Sequence, residues 1–469
     1  MKFGLTQHII DGISSILEQY TKVDKALIFG SRAKGNYRPD SDIDIAITGQ
    51  DITYKDITSI SVKMDDLNIG LSVDLLDYHS INEPALKEHI DRVGIEFYSR
   101  WKEFKLGDIA DITSSKRIFF SDYVTSGIPF YRSKEIIEKA QGDDISTDLF
   151  ITEEKFYEIK EKYGAPQNGD ILISAVGERA GIPYCVNQDG DFYFKDGNLI
   201  WFRNFNSDIY SNFLVYYFNS SAGQQRLEST MIGSAQKALT IIGLKNLEVA
   251  FPPFKEQTTI ASILASLDDK IDLLHRQNKT LEQLAEMLFR QWFVEEAEGS
   301  ITLGEIAKVS TGKGLKRNEF IENGLYPILG ANGEIGRTNN YLTDEMLILT
   351  GRVGTLGEVK ISRGKVWISD NVLIINPNES KYFYPIYFSL TRIEFENMNV
   401  GSTQPLITQT DLKKIEIKFP NEFKLEKFTE DCNLYFDKIN KNTTQIRTLT
   451  QTRDTLLPKL MSGEVRVEM

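Results

Sequence analysis

The sequence is poor in cysteine and histidine and has no long apolar run, and each absence argues against a class of protein. Its 469 residues include 2 cysteines and 4 histidines, and neither cysteine stands in a metal-ligand spacing. This argues against a disulfide framework and a zinc site. No apolar run approaches the roughly 18 residues of a membrane span, and no signal-peptide core follows the first methionine. We therefore expect a cytoplasmic protein with no membrane segment.

The chain also lacks an excess of positive charge. Its formal net charge is −13, although 41% hydrophobic and 26% charged residues are ordinary for a globular protein. A negative chain does not bind phosphate over its whole surface. Nucleic-acid binding would therefore require local basic loops. The length predicts about three domains.

After residue 100 the chain repeats itself. The segments that recur in order are 106–110 with 303–307, Asp196-Gly-Asn with Asp370-Asn, 233–236 with 401–404, and Phe251-Pro with Phe419-Pro. From residue 233 onward the copies are 168 residues apart, whereas solenoid repeats have periods up to about 50. The pattern predicts a duplicated domain. Two similar binding domains imply a target with two similar halves, and nucleic acid is such a target.

Each copy leads into a segment whose apolar residues recur at alternating steps of three and four, which is typical of a coiled coil. One asparagine lies within each apolar seam, Asn278 in the first and Asn442 in the second. A buried asparagine amide can donate to and accept from another. We predict an antiparallel pair in which Asn278 faces Asn442. The alternative is two separate amphipathic helices, each packed on its own domain.

The first hundred residues carry a different pattern. A Gly30-Ser31 turn follows a short apolar strand, Asp42 and Asp44 then share one side of a second strand, and Asp74 lies on a third. Carboxylates that converge at a sheet edge suit Mg²⁺. The turn, with Arg32 after it, is expected to bind triphosphate oxygens at a helix N-terminus.

This arrangement resembles the minimal nucleotidyltransferase family over residues 1–100. The resemblance implies a nucleoside triphosphate and Mg²⁺ as cofactors. It also implies catalytic and metal-binding roles for Asp42 and Asp44, with Asp74 as third ligand or base. Gly30, Ser31 and Arg32 form the expected nucleotide-binding turn. The alternative is a degenerate domain kept as an interaction module.

Residues 101–469 resemble the specificity subunit of type I restriction–modification systems, on the ordered and doubled segments given above. The resemblance implies that each target-recognition domain reads one half of a split double-stranded DNA site. It further implies methyltransferase subunits that use S-adenosylmethionine as partners, and an ATP-dependent restriction subunit as a further one. The chain itself contains no G-x-G-x-x-G or G-x-x-x-x-G-K-[ST] motif, which agrees with that division of labour.

Together these patterns predict an α+β protein with a small nucleotidyltransferase-like α/β domain and two target-recognition domains, separated by two long helices that form an antiparallel coiled coil. The predicted segments are 1–100 for the first domain, 101–255 and 299–422 for the recognition domains, 256–298 for the central helix, and 423–469 for the second helix and tail.

Direct readout of DNA bases favours Arg, Lys, Asn and Gln on loops. The candidate contacts are Lys116, Arg117, Arg132, Arg179 and Lys237 in the first copy, and Lys313, Lys316, Arg317, Arg337, Arg352 and Gln404 in the second. Two other functions stay open at this point. One is a nucleotidyltransferase of a toxin–antitoxin or defence system whose repeats dock its substrate, and the other is a purely structural scaffold.

Overall fold

A computed structural model describes residues 2–143, 145–187, 190–233, 237–352, 358–395 and 407–467. It divides into two compact units. The first comprises Met1–Asp269 with Thr450–Met469, and the second comprises Lys270–Leu449. Each unit therefore holds one copy of the repeat and a part of both long helices. Among the described residues, no helix is long and apolar enough to cross a membrane.

The first domain is a four-stranded sheet flanked by helices. Its strand order is β3-β2-β1-β4, with β2 and β3 parallel and the other neighbours antiparallel. Ile13, Ile28 and Ile45 are fully buried in its core. The elements are α1 (Gln7–Glu18), β1 (Val23–Ile28), α2 (Gly30–Lys34), β2 (Ile43–Gly49), α3 (Tyr54–Asp65), β3 (Val73–Asp77), α4 (Pro84–Val93) and β4 (Ile95–Ser99).

The first copy of the repeat follows at once. Its described elements form a sheet of order β11-β10-β13-β6, a second of order β12-β8-β9-β7, and the pair β14-β5. They are β5 (Lys102–Lys105), α5 (Leu106–Ile109), β6 (Asp111–Thr113), β7 (Tyr123–Val124), β8 (Ile128–Tyr131), α6 (Ser133–Gln141), β9 (Phe150–Ile151), α7 (Glu153–Tyr163), β10 (Ile171–Ser174), β11 (Pro183–Cys185), β12 (Tyr193–Phe194), β13 (Leu199–Arg203), α8 (Ser211–Asn219), α9 (Ser221–Thr230), α10 (Ile241–Lys245) and β14 (Glu248–Phe251). The long helix α11 (Phe254–Phe289) follows, and a π-helical turn extends it over Arg290–Glu295.

The second copy repeats this plan. Its sheets have the orders β16-β22-β19-β20, β18-β17-β21 and β15-β23. The elements are β15 (Gly299–Thr302), α12 (Leu303–Ile306), β16 (Ala307–Thr311), β17 (Tyr326–Gly330), β18 (Gly333–Thr338), β19 (Leu347–Gly351), β20 (Val359–Ser362), β21 (Trp367–Ile368), β22 (Val372–Pro377), α13 (Phe383–Leu390), α14 (Gln409–Lys413), β23 (Glu416–Phe419) and the long helix α15 (Glu422–Met461).

The two main sheets match strand for strand. β6, β13, β10 and β11 of the first copy correspond to β16, β22, β19 and β20 of the second, and every neighbouring pair is antiparallel in both. The parallel contact of β12 with β8 recurs as that of β21 with β17. The duplicated domain predicted from sequence is therefore confirmed.

The Leu-Gly-x-Ile-Ala segment marks where each copy packs one short helix on another. Its Leu and Ile side chains are buried in both copies. A Cβ on Gly107 would lie 3.0 Å from the carbonyl oxygen of Lys245, and one on Gly304 would lie 3.2 Å from that of Lys413. A larger residue would push α10 from α5, or α14 from α12. The glycine thus recurs because this approach of two backbones recurs.

The long helices run antiparallel. In the first unit the Arg453 guanidinium on α15 contacts the Asp268 carboxylate on α11 at 2.9 Å. In the second unit Asn442 on α15 meets Asn278 on α11. As the residue number rises along α11, that of its partner falls along α15. The predicted antiparallel coiled coil is confirmed, and α15 continues through Pro458 to Met461.

Within the first unit, two features fix the first domain to the rest. Arg100, directly after β4, forms an ion pair with Glu256 in the first turn of α11 at 2.6 Å, and their side chains are only 2% and 3% exposed. The segment after α15 returns to the same domain. There the Gln50 side-chain amide donates to the carbonyl of Glu464 at 3.1 Å, and the Arg466 guanidinium donates to the carbonyl of Thr21.

Candidate functional site

Two of the three carboxylates predicted in the first domain are direct neighbours across the sheet. Asp44 and Asp74 occupy paired positions on the parallel strands β2 and β3. The pKa of Asp44 is raised above its ordinary value, first by burial and then by the negative charges of Asp74 and Asp42. Asp74 and Asp42 are therefore close enough to disfavour the ionisation of Asp44.

The turn before α2 brings backbone directly against this group. Gly30 has a φ of +67°, and a Cβ at this position would lie 2.0 Å from the Oδ2 atom of Asp44. Only glycine tolerates both the left-handed conformation and the close approach. Ser31 follows, half-buried, in the short helix α2. The Gly30 backbone thus lies directly against the Asp44 carboxylate, and the nucleotide-binding role of this turn stays a prediction.

Arg32 has a role different from the one expected. Its side chain is 2% exposed, and its guanidinium donates to the backbone carbonyls of Ser41, Asp42 and Phe3. These bonds hold the segment that leads into β2. The guanidinium is thus committed to backbone carbonyls, so we assign it to positioning the strand of carboxylates rather than to contacting a phosphate.

Whether these residues can hold a metal ion depends on how many protein ligands the ion needs. Within the described part of the chain, no group of three or more His, Cys, Asp or Glu side chains is placed to hold a metal ion. The three-carboxylate site expected from sequence is therefore not assembled here. Mg²⁺, however, commonly binds through one or two carboxylates together with substrate phosphates. The paired Asp44 and Asp74 fit that smaller requirement, and the Mg²⁺ nucleotide stays a prediction.

Several basic candidates of the first copy are available to a ligand. Lys116 and Arg117 are exposed. The Arg117 Nε atom lies 2.8 Å from Asp196, and the Lys116 ammonium lies over the ring of Tyr163 at 5.2 Å. Arg179 is exposed as well. Lys237 is also exposed, and its ammonium lies 3.5 Å from Glu228.

Arg132 forms ion pairs within its own copy of the repeat. Its guanidinium lies 2.6 Å from the buried carboxylate of Glu135 and 3.1 Å from Asp148. The same Glu135 carboxylate accepts from the Arg132 backbone N–H at the start of α6. Removing Arg132 would leave a buried carboxylate without its counter-charge. The residue therefore stabilises α6, and its contact with DNA stays a prediction.

The second copy divides in the same way. Lys313, Lys316 and Arg317 are exposed, and Arg352 is half-buried at the end of the main sheet. Arg337, in contrast, donates to the carbonyls of Gly324 and Leu325 and to the Glu334 carboxylate. Its guanidinium ties β18 to the turn before β17, and its contact with DNA stays a prediction. Gln404 lies outside the described residues.

The loops that carry Lys116 and Lys313 are equivalent. We call residues 116–122 the first-copy loop and residues 313–319 the second-copy loop, and corresponding positions are 197 residues apart. Each loop ends in a 3-10 turn, Phe120–Asp122 in the first and Arg317–Glu319 in the second. In each, the last carboxylate accepts from the backbone N–H three residues earlier.

An aromatic residue that the sequence reasoning missed holds each loop. The Lys116 backbone N–H donates to the hydroxyl of Tyr193 at 2.8 Å. In the second copy the Trp367 indole N–H donates to the carbonyl of Lys313 at 2.8 Å. Tyr193 and Trp367 begin the equivalent strands β12 and β21. Their position shortly before the Asp-Gly-Asn and Asp-Asn segments is the signal that could have identified them.

The two seam asparagines lie together within the second unit. The Asn442 side-chain amide donates to the Asn278 side-chain carbonyl at 2.9 Å, and its distance to the Gln277 carbonyl is 3.4 Å. Asn442 is buried and Asn278 is half-buried. Farther along α15, in the first unit, the Arg453 guanidinium forms ion pairs with the carboxylates of Asp268 and Asp454.

A doubled α+β scaffold with equivalent basic loops, joined by paired helices, defines a two-part binding protein. Comparison with known proteins identifies the family. The profile "Type I restriction modification DNA specificity domain" matches twice, over residues 98–283 and 295–427. The profile "Polymerase beta, Nucleotidyltransferase" matches residues 11–103. The chain thus belongs to the type I restriction–modification DNA specificity family and carries a nucleotidyltransferase-like domain before it.

Individual relatives agree. The chain is 26% identical over 415 residues to the type I restriction enzyme MjaIX specificity subunit of Methanocaldococcus jannaschii, which covers 78% of this chain and 94% of the relative. It is 35% identical over 175 residues to a putative type I specificity subunit of Haemophilus influenzae, which covers 37% of this chain and 40% of that protein. The crystal structure of the S subunit from M. genitalium matches with a TM-score of 0.58 at 20% identity, covering 79% of this chain and 96% of that one. Both resemblances inferred from sequence are confirmed.

Proposed function

We propose that this chain is the DNA-reading subunit of a type I restriction–modification complex. Each copy of the repeat binds one half of a split double-stranded site. Methyltransferase subunits, which bring S-adenosylmethionine, assemble on the chain, and an ATP-dependent restriction subunit joins them. The observation that carries the proposal is the pair of equivalent exposed loops, each held by an aromatic residue on the same scaffold.

The net charge of −13 decides how such a subunit binds. A surface of this sign repels phosphate at long range, so the favourable contacts must come from a few basic side chains close to the duplex. The exposed cations of the two loops are placed for that task, whereas Arg132 and Arg337 are neutralised within the chain. The proposal therefore predicts a small number of phosphate contacts and a modest dependence on salt from this subunit alone.

A sequencing experiment tests this function. The chain is expressed with its methyltransferase subunits in a host without modification systems, and methylated bases are mapped over the genome. We expect one split motif in which two fixed halves flank a spacer of fixed length. A variant with alanine at Lys55, an exposed residue on α3 of the first domain, serves as the control and should give the same motif. Absence of methylation, or a continuous motif, would contradict the proposal.

For the first domain we propose binding of a Mg²⁺ nucleotide, with transfer of the nucleotide as its chemistry. Asp44 and Asp74 would hold the metal with Asp42 beside them, and the metal would neutralise phosphate charge. The pairing of Asp44 with Asp74 on neighbouring strands supports this, because a cation between two adjacent carboxylates offsets their repulsion. Arg32 keeps the carboxylate strand in place. A domain kept only as an interaction module is the competing view.

Calorimetry on the intact chain separates these two views. Each nucleoside triphosphate is titrated with Mg²⁺ and again with EDTA, and Asp66→Asn, an exposed carboxylate at the end of α3, provides the control. Binding that requires Mg²⁺ supports the nucleotide site. No binding of any triphosphate would leave the domain as an interaction module.

A further inference from the structure

The first-copy and second-copy loops share a backbone plan but present different chemistry. The second copy carries Lys316 directly before its 3-10 turn and Arg317 as the first residue of that turn. The first copy carries Phe119 and Phe120 at the same positions, 197 residues earlier. The two loops therefore place two cations in one copy and two phenyl rings in the other.

These phenyl rings are not part of a core. Phe119 is 63% exposed and Phe120 is 88% exposed, whereas the neighbouring Ile118 is buried and anchors the loop. The ring of Phe120 stands edge-on to that of Tyr123, with the ring centroids 6.0 Å apart. The ring centroids of Tyr123 and Phe130 are 5.2 Å apart. The Phe120 ring is thus held in place by Tyr123, which itself packs on Phe130. Two adjacent large apolar side chains that are exposed to solvent indicate a binding surface.

We propose that Phe119 and Phe120 bind the first DNA half-site by apolar contact, at the place where the second copy makes ionic contacts. The two rings would contact the C5-methyl group of thymine, which is the apolar group that a base presents in the major groove. This inference rests on the proposed function, because the occupant of both loops is the same duplex. Lys116 and Arg117 beside the rings supply the positive charge that keeps the phosphates near.

The physical consequence is an asymmetry between the halves. An apolar contact releases no counterions, whereas each Lys or Arg on a phosphate adds about 0.9 to the salt slope of binding. Loss of the two rings should weaken binding without changing the slope. Loss of Lys316 and Arg317 should weaken binding and lower the slope by about two. Thymine should therefore matter at the first half-site beside this loop.

The test uses the full chain assembled with its methyltransferase subunits and the split site mapped for the wild type. Affinity is measured across a series of salt concentrations for the wild type, Phe119→Ala/Phe120→Ala, Lys316→Ala/Arg317→Ala and Tyr54→Ala. Tyr54 is 87% exposed on the first domain and controls for loss of an exposed ring. Each thymine of the first half-site is then replaced in turn by deoxyuridine, which lacks the methyl group.

We expect the Phe119→Ala/Phe120→Ala variant to bind the site about tenfold more weakly than the wild type, with an unchanged salt slope. A tenfold change in affinity corresponds to ~1.4 kcal/mol. Deoxyuridine at one or more positions should weaken the wild type and leave that variant unaffected. Affinity equal to the wild type overturns the proposal, and so does a changed slope. Insensitivity of the wild type to every deoxyuridine overturns the assignment to thymine. Loss of methyltransferase assembly with normal DNA affinity would mean a protein partner and overturn it too. Failure of the wild type to bind any split site would instead refute the proposed function.

Discussion

The hydrogen bond between Asn442 and Asn278 makes a quantitative prediction about the helix pair. Asn442 is 1% exposed, and its amide donates to Asn278 at 2.9 Å. Replacing Asn442 with leucine removes the donor and leaves the carbonyl of Asn278 without its partner. An unsatisfied buried polar group costs about 1–3 kcal/mol, and because Asn278 is half-buried we expect a cost at the lower end of that range. The Asn442→Leu variant should therefore unfold at a lower urea concentration than the wild type.

The double variant Asn278→Leu/Asn442→Leu should behave differently. With both amides replaced by apolar side chains, no polar group is left unpaired, and the seam becomes continuously apolar. We expect its stability to return to that of the wild type or to exceed it. The coupling free energy in the double-mutant cycle should therefore be at least ~1 kcal/mol. Far-UV circular dichroism across a urea series measures all four proteins.

Gln445→Leu is the matched control, since Gln445 is exposed on the same helix one turn away. It introduces the same side chain without touching the pair. Additive effects of the two asparagine substitutions would refute the reasoning, as would an Asn442→Leu variant as stable as the control. Either result would mean that the two amides are not energetically coupled, whatever the distance between them.

Three further predictions concern the sites. Replacing the cations of the second-copy loop, Lys313, Lys316 and Arg317, with alanine should lower the salt slope of DNA binding by up to about three; methylation by the assembled complex that stays unchanged would show that this loop does not contact DNA. Asp44→Asn should abolish Mg²⁺-dependent triphosphate binding in calorimetry but preserve DNA affinity, because the amide keeps the shape and loses the charge; retained triphosphate binding would remove Asp44 from the site. Deleting one heptad from each of α11 and α15 shortens the helices by about 10 Å, which is about three base pairs at ~3.4 Å each. Sequencing of methylated sites should therefore find both half-sites unchanged and a spacer about three base pairs shorter. An unchanged spacer would mean that the helices do not set its length.

The sequence was sufficient wherever a pattern was doubled. The repeated segments predicted the duplicated domain, and the lone asparagine in each heptad seam predicted a contact between residues 164 apart in the chain. Strand order was beyond reach, because β12 and β21 consist of two residues each and carry no readable alternation. Their alignment depends on tertiary packing.

The site residues fall into two groups. The sequence predicts the neighbours of the carboxylates in part, but it does not predict the partners of the arginines. Strand parity predicted that Asp42 and Asp44 share one side of a strand, whereas the pairing of Asp44 with Asp74 depends on the order of the strands. The arginines could not be sorted in the same way. Arg32, Arg132 and Arg337 resemble free cations in the sequence, but their guanidinium groups are satisfied by carbonyls or carboxylates of the surrounding structure. Only the fold brings those acceptors to them.

The contacts of the segment after α15 have a consequence for how the chain folds during synthesis. The bonds from Gln50 to Glu464 and from Arg466 to Thr21 join residues 414 and 445 positions apart. Domains generally fold from the N-terminus as they leave the ribosome. The first domain can therefore form its own sheet early, but it acquires these contacts only when the last residues are made. Truncation of the final segment should accordingly leave that domain folded and more open to proteases in pulse-chase experiments.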